Sequence, residues 1–283
     1  MKQLKRQTGK DWLSRFLRYS VYSGAGLMVL CTVFILGYII VRGLPHLQLD
    51  LFSYTYNSTN VSMLPALLNT VMIAILALCI ALPVGVGASI FLTEYARQAN
   101  PLVMIVRLAT ETLSGIPSVI YGLFGALFFV KFLRLGLSLL AGALTLSIMV
   151  LPLIMRTTEE ALLSVDNSYR EGSFALGAGK LRTIFKIVLP SAFSGIFSGL
   201  VLAIGRIVGE SAALLFTAGT VAEVATSLTK SSRTLAVHMY LISGEGIYIN
   251  QTYATAVILL LLVIGLNLFS EWIANKLGRG NNE

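Results

Sequence analysis

Arg206 and Glu210 stand four residues apart at the one place where two opposite charges enter an apolar run of this chain. In a helix that spacing puts both on one face. With Pro190 as the inner edge and 1.5 Å of rise per residue, Arg206 lies roughly 24 Å along the axis. That is the outer half of an apolar layer about 30 Å thick, with Glu210 near its outer boundary. An ionisable group at such depth costs several kcal/mol unless it is paired or wetted. Two readings follow: the guanidinium fork offers bidentate hydrogen bonds to an oxyanion on a passage, with Glu210 tuning it, or the two charges form an internal pair that only orients the helix end.

The second candidate is the polar segment 156–190, which carries Glu171-Gly172-Ser173, then Gly177, then Ile187-Val188-Leu189-Pro190. Residues 157–166 are expected to continue the preceding helix and Ser168 to Ala178 to form a second, short one. Gly177 and Gly179 permit a sharp bend. Leu181 to Val188 reads as a third short helix before Pro190 starts the next span. Short amphipathic helices of this kind present a docking surface more readily than a catalytic one. No hydrolytic chemistry is legible. Gly177-Ala178-Gly179-Lys180 has Leu181 where a phosphate-cradling loop needs Ser or Thr, and the adjacent Glu159 and Glu160 point in different directions on a helix. No catalytic residue and no bound cofactor is assigned to this chain.

The elements that position these groups follow from composition. Hydrophobic residues make up 56% of the chain and charged residues 12%, and the mean hydropathy is +0.81. That is too apolar to clothe a soluble globule. The expected class is all-α, a polytopic protein in a lipid bilayer. Windows of about 20 residues able to cross it fall near 20–41, 65–92, 114–133, 137–155, 191–214 and 252–274. Residues 19–275 would then be the transmembrane domain, between a basic tail 1–18 and a short polar tail 276–283. With both termini cytoplasmic, fifteen Lys and Arg fall inside, Arg97 and Arg107 among them, and five outside: Arg42, Lys131, Arg134, Lys230 and Arg233. This bias supports that orientation in the cell membrane. The net charge of +8 is explained by anionic lipid headgroups and needs no nucleic acid.

Within the spans, Pro83 and Pro117 break the pattern. Each removes a backbone donor and frees a carbonyl, so each is either a packing kink or a gating element. Gly195 with Gly199 and Gly205 with Gly209 form two GxxxG pairs, which predict a helix packed closely against a neighbour. Cys31 and Cys79 lie inside spans, so neither a disulfide framework nor a metal site is expected. His46 and His238 stand alone in outer segments and read as solvated or interfacial. The segment Gly219 to Asn250 is either a plain outer loop or includes a re-entrant helix, since Thr220 to Leu228 is moderately apolar but carries Glu223.

Glu171, Gly177, Ile187, Leu189 and Pro190 fall at the spacing of the EAA loop of ABC importer permeases, with Gly172 and Ser173 in place of the two alanines. Residues 205–219 (GRIVGESAALLFTAG) and 113–125 (LSGIPSVIYGLFG) resemble, more narrowly, the phosphate-specific importer permeases, and the Leu-Leu-Phe-Thr-Ala ending resembles the PstA-type subunit. The resemblance runs over residues 60 to 275. It implies a translocation pathway shared with a second, homologous permease, two copies of a cytoplasmic ATPase that bind ATP-Mg, and an extracytoplasmic phosphate-binding protein. It further implies that the loop carries a coupling helix, with Glu171 contacting the ATPase and Gly177 at the turn. Permeases for other oxyanions such as molybdate or sulfate share the loop. An ion-driven carrier is the rival of another class, disfavoured because no carboxylates are buried at mid-span.

Overall fold

The computed structural model describes residues 2–96 and 100–279, with side chains described outside 2–11, 13 and 273–279. Arg97, the basic side chains of Lys2, Lys5, Arg6, Lys10, Lys276 and Arg279, and the tail end 280–283 therefore lie outside the described residues. Among the described residues the chain is helical throughout, with no strand.

Helix α1 (Lys2–Gly43) is followed by two short 3-10 turns and then by α2 (Leu64–Ile90), which carries Pro83 without interruption and ends in a π turn, Phe91–Tyr95. Helix α3 (Pro101–Ser114) starts at Asn100, whose side chain accepts from Leu102 N at 3.0 Å, with Pro101 in the first turn. Helix α4 (Ser118–Gly125) continues as a π turn to Phe132. Helix α5 (Leu139–Leu163) is the most buried of the long helices, and α2, α4, α8 and α9 pack on it. Then come α6 (Asn167–Ala175), α7 (Lys180–Thr183), α8 (Leu189–Val208), α9 (Ala212–Thr217), α10 (Leu235–Glu245) and α11 (Ile249–Arg279).

Five helical stretches are long and apolar enough to cross a membrane, or six if α3 and α4 count as one broken span. The expected six-span all-α architecture holds, but three of its parts are redrawn. The third span does not start at residue 114: α3 precedes it and meets α4 at a bend of 105°. Pro117 explains the break, since it donates no hydrogen bond and holds the residue before it out of the helical region. Tyr121 Oη bridges the bend by donating to Leu113 O at 2.8 Å. Leu181 to Val188 is not a separate helix, because α7, a π turn at Ile184–Val188 and α8 run on through Pro190 as one stretch, Lys180–Val208. Proline in a first turn costs no bond that would otherwise form, but here upstream residues stay helical and the register is recovered through the π turn. The fifth span does not reach residue 214. It stops at Val208, and Gly209, Glu210 and Ser211 separate it from α9.

At the end of the bundle opposite the 164–180 loop, one open question is answered and one expectation is corrected. The segment Gly219 to Asn250 contains a helix, α10, while Thr220 to Leu228 is non-helical. The non-helical stretch is held by α2. Asn69, fully buried, donates to Glu223 O at 2.9 Å and Arg233 O at 3.2 Å and accepts from Ala225 N at 2.9 Å. Thr70 Oγ1 accepts from Leu235 N at 2.8 Å. His238 is neither solvated nor interfacial: it is fully buried on α10. His46 is half-buried at the end of α1, and its Nδ1 sits 3.0 Å from Arg42 O.

Candidate functional site: the 164–190 loop and the break after Arg206

Asp166 starts α6 by accepting from Ser168 N at 2.8 Å, and this bond together with the Ser168 side chain lowers its pKa below the usual carboxylate value. The helix ends at Gly177, whose φ of +81° lies where side-chain-bearing residues are strained. The bend expected at Gly177 is therefore present, while Gly179 adopts an ordinary extended conformation. A hydroxyl pair, Ser173 Oγ to Thr183 Oγ1 at 2.8 Å, ties α6 to α7 across the turn. What protrudes is apolar: Leu176 is 90% exposed, and Tyr169, Phe174, Leu181 and Phe185 are exposed beside it. Below them Ser168, Gly172, Arg182, Lys186 and Ile187 line a hollow of about 500 Å³. Glu171 is exposed on α6, whereas Ile187 and Leu189 are half-buried at the root of the loop, beside Pro190 on the surface. An exposed apolar knob with a charged rim is what insertion into a complementary cleft requires.

One anchor of this loop was not foreseen. Arg170 crosses from α6 to the π turn of α2, where Nη2 and Nε donate to Glu94 Oε1 at 2.8 and 3.1 Å. The same guanidinium donates to Leu162 O at 2.9 Å and Val165 O at 2.8 Å, capping the end of α5. The side chains are 14% and 9% exposed, so this is a shielded ion pair with its remaining donors satisfied. Two surface-side pairs, Arg107–Glu159 at 2.6 Å and Arg156–Glu160 at 3.0 Å, lie on the same end of the bundle. The sequence signal for the buried pair was weak, since 76 residues separate the partners.

The structure separates Arg206 from Glu210. Arg206 occupies the last turn of α8, half-exposed, with its charge within reach of Tyr121 on α4. A cation there is favourably placed against the helix C-terminus. Glu210 lies beyond the helix, 8% exposed, and its Oε1 accepts from Ala213 N at 3.0 Å, capping the first turn of α9. They are neither on one helical face nor an ion pair: among the described residues the three salt bridges lie elsewhere. The physical reason is that α8 stops at Val208 and the free amides of α9 take the carboxylate. Of the two readings of Arg206, internal pairing with Glu210 is the one this geometry removes. Next to the break, Val119, Ser211, Leu215, Phe216 and Tyr240 line a cavity of about 210 Å³.

The GxxxG pairs divide in the same way. A Cβ on Gly195 would meet Ala161 Cβ at 2.6 Å, and one on Gly199 would meet Thr157 Cβ at 2.6 Å, so these glycines admit α5 against α8. Gly205 faces open space, and Gly209 meets only the Gly205 carbonyl of its own turn. Cys31 and Cys79 are free thiols, and no cluster of metal-ligating residues occurs among the described residues.

Comparison with known proteins places this geometry. Residues 81–281 match the family described as "Binding-protein-dependent transport system inner membrane component". The chain is 32% identical over 277 residues to the probable ABC transporter permease protein YqgI of Bacillus subtilis, covering 89% of this chain and 92% of that protein. It is 34% identical over 250 residues to the phosphate transport system permease protein PstA of Haemophilus influenzae, covering 87% of each. Among solved structures, the fold matches an inward-facing MetNI methionine ABC transporter with a TM-score of 0.57 at 19% identity, over 85% of this chain and 96% of that one. It also matches a bacterial ABC transporter for alginate import with a TM-score of 0.58 at 14% identity, over 97% and 99%. The chain is thus a multi-pass membrane permease subunit of an ABC importer, a transport subunit and not an enzyme, and it belongs to the family of binding-protein-dependent transport system inner membrane components.

Proposed function

We propose that this permease forms half of the passage of an ATP-driven phosphate importer, paired with a homologous permease, driven by two copies of a cytoplasmic ATPase and supplied by an extracytoplasmic phosphate-binding protein. The observation that carries the substrate is the near full-length similarity to a permease named for phosphate transport. In support, Arg206 is half-exposed at the end of α8 without a carboxylate in ion-pair range. A guanidinium free to meet an oxyanion fits phosphate better than an apolar substrate.

In this reading the 164–190 loop faces the cytoplasm, as the excess of Lys and Arg on that side favours. Leu176 and its apolar neighbours seat in the ATPase, Glu171 meets its polar rim, and Gly177 permits the turn. Closure of the ATPases on ATP-Mg then pulls on α6, and Arg170 carries the displacement to α2 and α5. Glu210 acts by holding the α8–α9 break in shape, and Pro117 by setting the bend that brings Tyr121 towards Arg206. Pro83, inside an unbroken helix, is assigned packing. Weak, transient contacts suffice for the anion, because a passage must also release it.

The test is uptake of radiolabelled phosphate at low external concentration in cells lacking only this gene and in the same cells complemented with it. Loss and rescue support the reading. Unchanged uptake with no compensating carrier, or competition by molybdate or sulfate in place of phosphate, removes phosphate as the substrate. In the same assay Arg206→Lys, which keeps the charge and loses the fork, is expected to lower uptake at least about tenfold with the complex still assembled. Full activity of that variant takes Arg206 off the passage.

A further inference from the structure

Ser232, Arg233 and Thr234 lead into α10, at the end of the bundle opposite the coupling loop, and His238 stands on the first turn. Arg233 is 6% exposed, and its Cζ stacks 4.2 Å over the ring of Tyr56. Its Nε and Nη2 have no hydrogen-bond partner among the described residues. The same holds for the hydroxyls of Ser232 and Thr234, both on residues buried to 1% exposure or less, while the fully buried His238 ring faces the Val61 backbone.

This cluster is not explained by packing. A guanidinium does not give up its proton inside a protein, so Arg233 keeps its charge where it is. Stacking on the neutral Tyr56 ring recovers only part of what is lost by burying a charge without a counter-charge. Glu223, the nearest acidic residue in sequence, is exposed, and only its backbone carbonyl is used locally. His238 cannot supply a negative partner: burial and the neighbouring Arg233 push its pKa down to about 3 against the opposing hydrogen bond to the Val61 backbone. It is therefore neutral at physiological pH, with its single N–H turned to that backbone. The groups gathered are a fork of charged donors and two hydroxyls, with the positive end of α10 beside them. Such a set repels cations and matches a tetrahedral oxyanion.

The ring over Arg233 belongs to a cover. Tyr56 is half-buried in the segment between the 3-10 turn Leu49–Phe52 and α2, and it also meets His238 edge-on at 6.1 Å between centroids. The same segment holds Val61 at φ +44°, a region a β-branched residue occupies only under strain. A neutral ring is the weaker partner for a guanidinium, so a doubly hydrogen-bonding anion can displace it.

We propose that Arg233, with the hydroxyls of Ser232 and Thr234, forms a second oxyanion site that opens when the Tyr56 ring swings away and that takes a phosphate group. The identity of that phosphate as transported substrate rests on the function proposed above; the site itself does not. The experiment uses the whole importer complex in vesicles. Tyr56→Trp places a reporter on the cover, and its fluorescence is followed on adding inorganic phosphate in vesicles of phosphatidylcholine alone, then without phosphate in vesicles with added phosphatidylglycerol. The expected result is a saturable change with inorganic phosphate in phosphatidylcholine, abolished by Arg233→Gln and weakened by Arg233→Lys, together with uptake at low phosphate reduced at least about tenfold in Arg233→Gln. A change that follows phosphatidylglycerol alone, with uptake intact, assigns the same site to a lipid headgroup. The proposal is overturned if neither source moves the signal, or if the response is equal in Arg233→Gln. Absence of phosphate uptake by the unaltered complex counts against the proposed substrate and leaves the fluorescence result standing.

Discussion

His238 departs from the solvated or interfacial histidine expected of an outer segment. Its immediate neighbours, Leu235 to Val237 and Met239 to Leu241, are apolar, and the packing of α10 against α11, α2 and the Tyr56 ring removes it from water. Its pKa near 3, against 6.5 for a free histidine, means that the folded state holds the neutral form and the unfolded state takes up the proton. The associated stability is complete above about pH 6.5 and declines as pH falls towards 3, by up to about 1.4 kcal/mol per pH unit. Thermal melts of the purified protein are expected to fall between about pH 7 and pH 5 more steeply than those of His238→Gln, whose side chain does not titrate. Parallel curves for the two proteins would mean that His238 is already protonated or exposed. Arg206 and Glu210 teach the complementary lesson: spacing placed them on one face, and the end of α8 at Val208 with the capping of α9 by Glu210 parted them.

At the scale of elements, the loop was legible because its pattern is local. Gly177 sits at the bend, α6 and the start of α7 lie where polar and apolar residues alternate, and Glu171 faces outward. The pair Arg170–Glu94 was not legible, because nothing in either segment marks the other. Helix α3 was missed for a related reason: Arg107 and Glu111 break up its apolar character, and its start is written in Asn100 and Pro101. The buried pair is also where the loop gains its grip on the bundle. Removing one partner leaves a shielded charge uncompensated, at a cost of about 3–5 kcal/mol. Arg170→Gln alone is therefore expected to loosen α6 and to lower substrate-stimulated ATP hydrolysis by the assembled importer. Glu94→Gln should do the same through the other end. The double variant, with no unpaired charge, should recover the melting temperature but not the stimulation, since the carbonyl contacts to Leu162 and Val165 stay weakened. Recovery of both would reduce the pair to a stability element with no part in coupling.

At the scale of the whole molecule, α5 is the hub, and α1 is a peripheral helix that touches the bundle through α11 and exposes apolar residues such as Val21, Leu30 and Phe34 along its length. The family match starts at residue 81, inside α2, and takes in α5 together with α4, α8 and α9 that pack on it. One close approach in that core is α8 on α5, where Gly199 leaves room for Thr157. In a bilayer no hydrophobic drive pushes two helices together, so their association depends on such close fit. The fit is specific enough to test by exchange. Gly199→Ala places a methyl group into Thr157 and is expected to destabilise the folded bundle by about 1–3 kcal/mol, the usual cost of overpacking. Thr157→Ala should cost less, because it removes a hydroxyl bonded only within its own helix, to Leu153 O at 2.9 Å. Combining the two should restore part of the loss, as the methyl group gained on α8 fills space vacated on α5. Melting temperatures that simply add would show that the helices do not meet at these residues, and the α5–α8 seam would have to be redrawn. Gly205, which faces open space on the same helix, is the internal control: Gly205→Ala should leave the melting temperature of the isolated subunit unchanged and affect only assembly with the second permease, if that face of α8 is where the second permease packs.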